Sequence, residues 1–225
     1  MMCLSFPLFE SFKWLAHGFI TREKAVDVNG DRKEVIGRLE VKYREILKTQ
    51  SIQWNQLHLV EQVHGNQVVS ITKSNPIKRL SAAPKTTPVS DGLVTNIPDV
   101  PLGIYVADCC AVFLVEPRQR AIALLHSGRK GTEAQIAREG VHWLKEITQS
   151  DPSHILAALS PCIHPCCYDV DFVTAIEHQL KSEGVLQIWR HPDCTGCHLD
   201  RYYSYRKEKG ITGRMLAFMM IRSAK

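Results

Sequence analysis

Residues 107–128 read ADCCAVFLVEPRQRAIALLHSG. Two apolar runs, Ala111–Val115 and Ala121–Leu125, flank the short polar stretch Glu116–Arg120, which contains Pro117. Each run has the length of a buried strand rather than a helix. A connection this short joins antiparallel neighbours, so the pair reads as a hairpin. Further strand-length runs lie on both sides: Gln56–Val60, Val68–Thr72, Gly92–Thr95, Leu102–Ala107, Ile155–Leu159, Val185–Trp189 and Met215–Ile221. Helical periodicity is confined to three segments. Asp31–Lys48 repeats Val35, Ile36, Leu39, Tyr43, Ile46 and Leu47 three or four apart, behind the capping residues Asn29-Gly30-Asp31. Thr132–Ile147 opens on Thr132-Glu133-Ala134-Gln135, which fits a capping box. Phe172–Ser182 is followed by Gly184 as a stop. Strands that outnumber helices and follow one another predict an α+β fold, with mixed β-sheets flanked by helices. Lys73–Ser90, rich in Pro, Ser, Thr and Lys, reads as one long surface loop. With no internal repeat and no separating linker, residues 1–225 are expected to form a single domain.

The composition is 44% hydrophobic and 23% charged, which excludes disordered, collagenous and long coiled-coil chains. No run reaches the roughly 20 apolar residues of a membrane span. The start Met1–Glu10 lacks a basic region and a small-residue cleavage site, so a cytoplasmic protein is expected. A net charge of +5, from 28 Lys+Arg against 23 Asp+Glu, is spread along the chain. It suits an anionic small molecule, and neither nucleic acid nor membrane is an expected partner. Eight cysteines beside ten histidines are the unusual feature. In a cytosolic chain such thiols point to metal or catalysis rather than to disulfides.

Three strands end on a polar or soft ligand. Leu57–Val60 leads to His64, Leu102–Ala107 to Asp108-Cys109, and Ala121–Leu125 to His126. If these ends meet, two imidazoles and a thiolate make a zinc site with one open position, as in catalytic centres. The other reading is two strand-end histidines and a buried thiol. His126-Ser127-Gly128-Arg129-Lys130-Gly131-Thr132 supplies two glycines and two cations ahead of a helix, which suits either an anion site or a plain strand-to-helix turn. Cys162…Cys166-Cys167 and Cys194-x-x-Cys197 read as packed, reduced thiols, with a structural metal knot as the alternative.

Taken in order, these segments resemble the YfiH-like family, also called the laccase-domain or multicopper polyphenol oxidase family. The resemblance rests on Gln62-Val63-His64-Gly65, Asp91–Thr95, Ala107-Asp108-Cys109, His126-Ser127-Gly128 with Gly131-Thr132, Pro161-Cys162-Ile163, and Pro165–Tyr168. It continues through Cys194-Thr195 and Tyr203–Arg206 to Thr212–Met215, with His17-Gly18-Phe19 and Thr21-Arg22 as an opening strand. It implies a fold related to a bacterial toxin deamidase, and one zinc ion on His64, Cys109 and His126. It also implies a purine nucleoside phosphorylase acting on adenosine, inosine, guanosine and methylthioadenosine, with adenosine deaminase activity. Purine nucleoside and phosphate are then the expected partners. Arg22, Arg129 and Lys130 are candidate phosphate ligands, and Asp108 a candidate orienting group or proton shuttle.

The copper named by the family has little support: a multicopper centre uses His-x-His pairs, and none occurs in this sequence. The family's His-Ala-Gly-Trp-Arg-Gly is here His126–Gly131 with Arg129 in place of the aromatic, and His164 replaces a glycine. These departures keep two rivals open. One is a metal-free hydrolase or deamidase with Cys109 as nucleophile and His126 as base. The other is a non-catalytic member with a relic pocket.

Overall fold

A computed structural model describes residues 1–72 and 85–223. Its strands in chain order are β1 (Cys3–Leu4), β2 (Leu15–Ile20), β3 (His58–Glu61), β4 (Val68–Ile71), β5 (Lys85–Val89) and β6 (Gly92–Thr95). Then follow β7 (Leu102–Val106), β8 (Cys110–Glu116), β9 (Ala121–Ser127), β10 (Leu156–Leu159), β11 (Gln187–Arg190) and β12 (Met215–Ile221). The helices are α1 (Arg32–Thr49), α2 (Arg129–Glu133), α3 (Ile136–Thr148) and α4 (Phe172–Ser182). Among the described residues the strands form two six-stranded sheets, ordered β1-β2-β12-β7-β3-β5 and β11-β10-β8-β9-β6-β4. Both mix parallel and antiparallel pairs, so the α+β expectation holds.

The hairpin of residues 107–128 forms as its sequence dictates. β8 and β9 run antiparallel from Cys110 opposite Ser127 to Glu116 opposite Ala121. The Glu116 carboxylate accepts the backbone N–H groups of Arg118 and Gln119 and closes the turn. Side chains alternate across the sheet. Val112, Leu114, Ala123 and Leu125 pack with α3 and α4, while Ala111, Phe113, Ile122 and Leu124 join the core shared with the other sheet. This strand pair is therefore buried on both faces, which is why it reads as continuous apolar runs rather than as alternation. α1 contributes Val35, Leu39, Tyr43 and Leu47 to the shared core. It begins with a capping box: Asp31 accepts the N–H of Lys33 and Glu34, and Glu34 accepts the N–H of Asp31.

Two expectations are corrected. The helix expected over Thr132–Ile147 is broken in two. The Thr132 hydroxyl donates to the Gly128 carbonyl within α2 and pairs with Ser127, so it is not free to cap. Gln135 takes a left-handed conformation (φ 64°) and α3 starts behind it without a side-chain cap. The long loop expected over Lys73–Ser90 contains strand β5, paired in parallel with β3. Its register passes from Thr87 to Val89 and skips Pro88, and β5 lies at the sheet edge, where proline is tolerated. The rest of that loop expectation, residues 73–84, lies outside the described residues. No described helix is long and apolar enough to cross a membrane.

Candidate metal centre and its cavity

His64 follows β3, Cys109 joins β7 to β8, and His126 lies near the end of β9. His64 (between β3 and β4) and Cys109 thus both lie where the chain passes from the first sheet to the second, and His126 lies in the second sheet itself. Along β9, His126 shares the face of Ile122 and Leu124, which points at the other sheet. Their donor atoms lie within 4.8 Å of one another, and the two imidazole rings meet edge to face at 4.7 Å. His126 is buried, Cys109 half-buried and His64 exposed, so the cluster opens to solvent on one side.

The backbone is forced where it delivers these groups. His64 (φ 65°) and Asp108 (φ 80°) both occupy the left-handed region, which is strained for side-chain-bearing residues. Asp91, fully buried ahead of β6, holds the first of them. Its Oδ1 accepts the His64 N–H at 2.9 Å, and its Oδ2 accepts the Gly65 and Val63 N–H groups at 2.7 and 3.2 Å. Oδ1 also pairs with His126 Nδ1 at 2.7 Å. Burial opposes the Asp91 charge, yet the His126 bond and the Gly65 and His64 amides hold its carboxyl below the usual range. Asp108 is held equally firmly. Thr195 Oγ1 and the Arg206 N–H each donate to its carboxylate at 2.7 Å, and Ile163 N–H donates to its carbonyl at 2.9 Å.

Burial alone would raise the Cys109 thiol and suppress the His126 charge. Their mutual attraction, with His64 and Asp91 beside them, reverses both, bringing Cys109 down to about 6 and His126 up to about 9. A thiolate and two imidazoles are the donor set that zinc favours. Zinc bonds of about 2.0–2.3 Å place such donors roughly 3.3–3.8 Å apart, a small side-chain movement from the arrangement here. Asp91 on Nδ1 leaves His126 Nε2 as the coordinating atom. Gly128 completes the cradle, because a Cβ there would overlap the Cys109 sulfur and approach His64. The residues therefore fit the ion.

The cluster forms part of the wall of a cavity of about 740 Å³. Asp108, Arg129 and Lys130 line it as the sequence suggests. Arg129 is exposed there and pairs with Glu133 at 2.8 Å. Arg22 does not line it: the guanidinium pairs with Glu208 at 2.7 Å over the Tyr203 ring. The helix start at Gly131-Thr132, a candidate anion site in the reading of His126–Thr132, is also displaced. α2 begins at Arg129 and spans five residues, and a Cβ on Gly131 would come within 3.1 Å of the Gly65 carbonyl. That glycine serves close backbone packing.

The cations missed from sequence are Arg32, Arg206 and Arg214, all in the cavity wall. Arg214 is half-buried, donates to the Thr212 and Gly213 carbonyls, and has no ion pair with a described carboxylate. Tyr105 also lines the cavity, and its hydroxyl is buried without a hydrogen-bond partner among the described residues. Asp91 was also missed as a functional residue. Its one signal is an acid directly ahead of an apolar strand in the Asp91–Thr95 motif.

The family described as multi-copper polyphenol oxidoreductase laccase matches residues 24–175 and 169–222. The chain belongs to this family. A relative named purine nucleoside phosphorylase YlmD, from Geobacillus stearothermophilus, is 32% identical over 193 residues, covering 71% of this chain and 70% of that protein. The Bacillus subtilis protein of the same name is 30% identical over 195 residues, covering 73% and 70%. The crystal structure of YlmD from Geobacillus stearothermophilus superposes with a TM-score of 0.82 at 26% identity, covering 97% of this chain and 94% of that one. A Bacillus licheniformis protein called YfiH shares the fold at a TM-score of 0.80 and 22% identity.

Proposed function

We propose that this chain is a cytoplasmic, single-domain purine nucleoside phosphorylase that holds one zinc ion on His64, Cys109 and His126. Its substrates are adenosine, inosine, guanosine and methylthioadenosine with phosphate, and adenosine deamination is a second activity. The observation that carries this reading is the wall of the cavity. Three convergent metal donors share it with Arg32, Arg206 and Arg214. A volume of about 740 Å³ lies in the range of small-molecule sites. The names of the relatives agree with it.

Phosphorolysis joins a phosphate oxygen to the ribose C1′ while the C1′–N9 bond breaks. The electron pair leaves with the purine, which takes up a proton. Arg214 is the natural phosphate ligand, since no carboxylate among the described residues neutralises it, and Arg32 and Lys130 reinforce it from the same wall. The aromatic rings of Tyr168, Phe172 and Tyr205 offer apolar surface for the purine. Asp108 acts by position: it ties Thr195 and Arg206 to the residue before Cys109. Zinc, when bound, supplies Lewis-acid polarisation of a neighbouring oxygen, and a single His2Cys set cannot build the several-copper cluster that the family name implies. The test incubates the zinc-loaded protein with phosphate and inosine and follows hypoxanthine by chromatography. Equal amounts of hypoxanthine and ribose 1-phosphate are expected, and no product at high protein concentration would overturn the reading.

A second reading has its own observation. Asp91, His126 and Cys109 are linked in the order acid, imidazole, thiol, which is also the arrangement of a metal-free nucleophilic hydrolase. Turnover that survives chelation and His64→Ala would favour it.

A further inference from the structure

Cys166, Cys167, Cys194 and Cys197 place four sulfur atoms within 4.8 Å of one another, outside the nucleoside cavity. They come from two loops. Cys166 and Cys167 lie on a turn closed by the Cys167 and Tyr168 N–H groups on the His164 carbonyl, at 2.9 and 3.0 Å. Cys194 and Cys197 span a turn closed by the Cys197 N–H on the Cys194 carbonyl at 3.2 Å. A bridge pairs Cys162 with Cys194, and Thr195 N–H donates to the Cys162 carbonyl at 3.0 Å, so the loops are registered side by side. Gly196 makes the approach feasible: a Cβ there would lie 2.8 Å from Cys167 Cβ and 3.0 Å from its sulfur.

The sulfurs are not arranged as two separate pairs. Cys197 Sγ lies 3.4 Å from Cys166 and 3.5 Å from Cys167, and every sulfur has the other three within 4.8 Å. Zinc–sulfur bonds of about 2.3 Å put the corners of a tetrahedron roughly 3.8 Å apart. Adjacent Cys166 and Cys167, with Cα atoms about 3.8 Å apart, are too close for an unstrained disulfide between themselves. The Cys194 sulfur also accepts the His164 N–H at 3.3 Å, the kind of supporting bond that orients a metal thiolate. We propose that these four cysteines bind a second zinc ion in a closed, structural site. Binding releases the thiol protons to solvent and leaves no open coordination position. The two loops also carry Ile163 and Thr195, both bonded to Asp108 beside Cys109. The ion thereby stiffens one wall of the cavity from behind.

The test is the zinc content of the purified full-length protein. Two zinc ions per chain are expected, falling to one in Cys197→Ser and to one in His64→Ala. Cobalt loaded into His64→Ala should show the strong thiolate charge-transfer and visible bands of tetrahedral tetrathiolate cobalt, absent from the double variant with Cys197→Ser. Cys166→Ser, also at an exposed position, gives the same count if Cys197→Ser does not fold. One zinc per chain in the parent that His64→Ala loses and Cys197→Ser keeps, two in Cys197→Ser, or an intact mass lighter by the two hydrogens of each disulfide would overturn the proposal; a single zinc lost in Cys197→Ser and kept in His64→Ala would uphold it and count against the His64 site.

Discussion

Asp91 Oδ1 lies 2.7 Å from His126 Nδ1, with both side chains essentially removed from water. The same oxygen accepts the backbone N–H of His64. One carboxylate therefore fixes the ring of one candidate ligand and the strained backbone of another. Replacing Asp91 by Asn keeps the shape but removes the charge. Supporting groups of this kind typically contribute about 10–100-fold to metal affinity. Asp91→Asn is expected to weaken zinc at the His64 site by that factor, measured by competition with a chelator of known affinity.

Gly128→Ala tests the cradle. The added Cβ meets the Cys109 sulfur, so the thiolate must move. Overpacking of this type costs about 1–3 kcal/mol. The variant should lose the zinc that His64→Ala also loses and show a lower thermal midpoint. Gly37→Ala is the control. It lies in α1 with nothing within 4 Å of a new Cβ, and should stabilise by about 0.5–1 kcal/mol.

Arg214→Gln and Arg22→Gln separate the cavity from the sequence-based expectation. A hydrogen bond to a charged group contributes about 1.5–3 kcal/mol, roughly 10–100-fold in binding. KM for phosphate should rise by that factor in Arg214→Gln. In Arg22→Gln it should stay at the parent value while thermal stability falls, because Arg22 bonds Glu208 and the Tyr202 carbonyl instead. Steady-state kinetics at varied phosphate decides.

His17 gives an acid dependence away from the centre. Burial, with the Arg222 charge beside it, lowers its pKa to about 4, while the Phe6 N–H donates to its Nε2. The unfolded chain therefore binds a proton below about pH 6.5 that the folded chain refuses until about pH 4. Stability contributed by neutral His17 is full above pH 6.5 and falls as pH drops towards 4, by about 3 kcal/mol at most. Urea unfolding at pH 7 and pH 5 should show this loss in the parent protein and a smaller one in His17→Gln.

Much of the fold is legible because β8 and β9 are buried on both faces, so they stand out as unbroken apolar runs. α1 is legible for the opposite reason: one apolar stripe on a polar helix, with Asp31 and Glu34 marking its start. Elements of mixed signal were misread. β5 carries Pro88 at an edge, and Thr132, a capping residue by type, spends its hydroxyl on Gly128 and Ser127. The three candidate metal ligands could be named from the sequence as strand-end residues, but there the metal reading competed with a plain one, and it was the family resemblance that singled them out. Asp91, Arg214 and Tyr105 were not legible. An acid, an arginine and a tyrosine are ordinary residues until the fold ties Asp91 to both histidines and leaves Arg214 without an ion pair, and the Tyr105 hydroxyl without a partner, among the described residues.

By itself, the sequence determined the strand-rich α+β class, the hairpin, the three ligand types with their order along the chain, and the two cysteine-rich loops. These follow from composition and spacing, which are local. The tertiary structure alone decided which distant residues meet. It placed Asp91 behind both histidines, moved Arg22 out of the cavity and Arg214 into it, and gathered four cysteines from two loops. Contacts between residues far apart in sequence depend on how two sheets pack and where their loops close, and no local pattern records that.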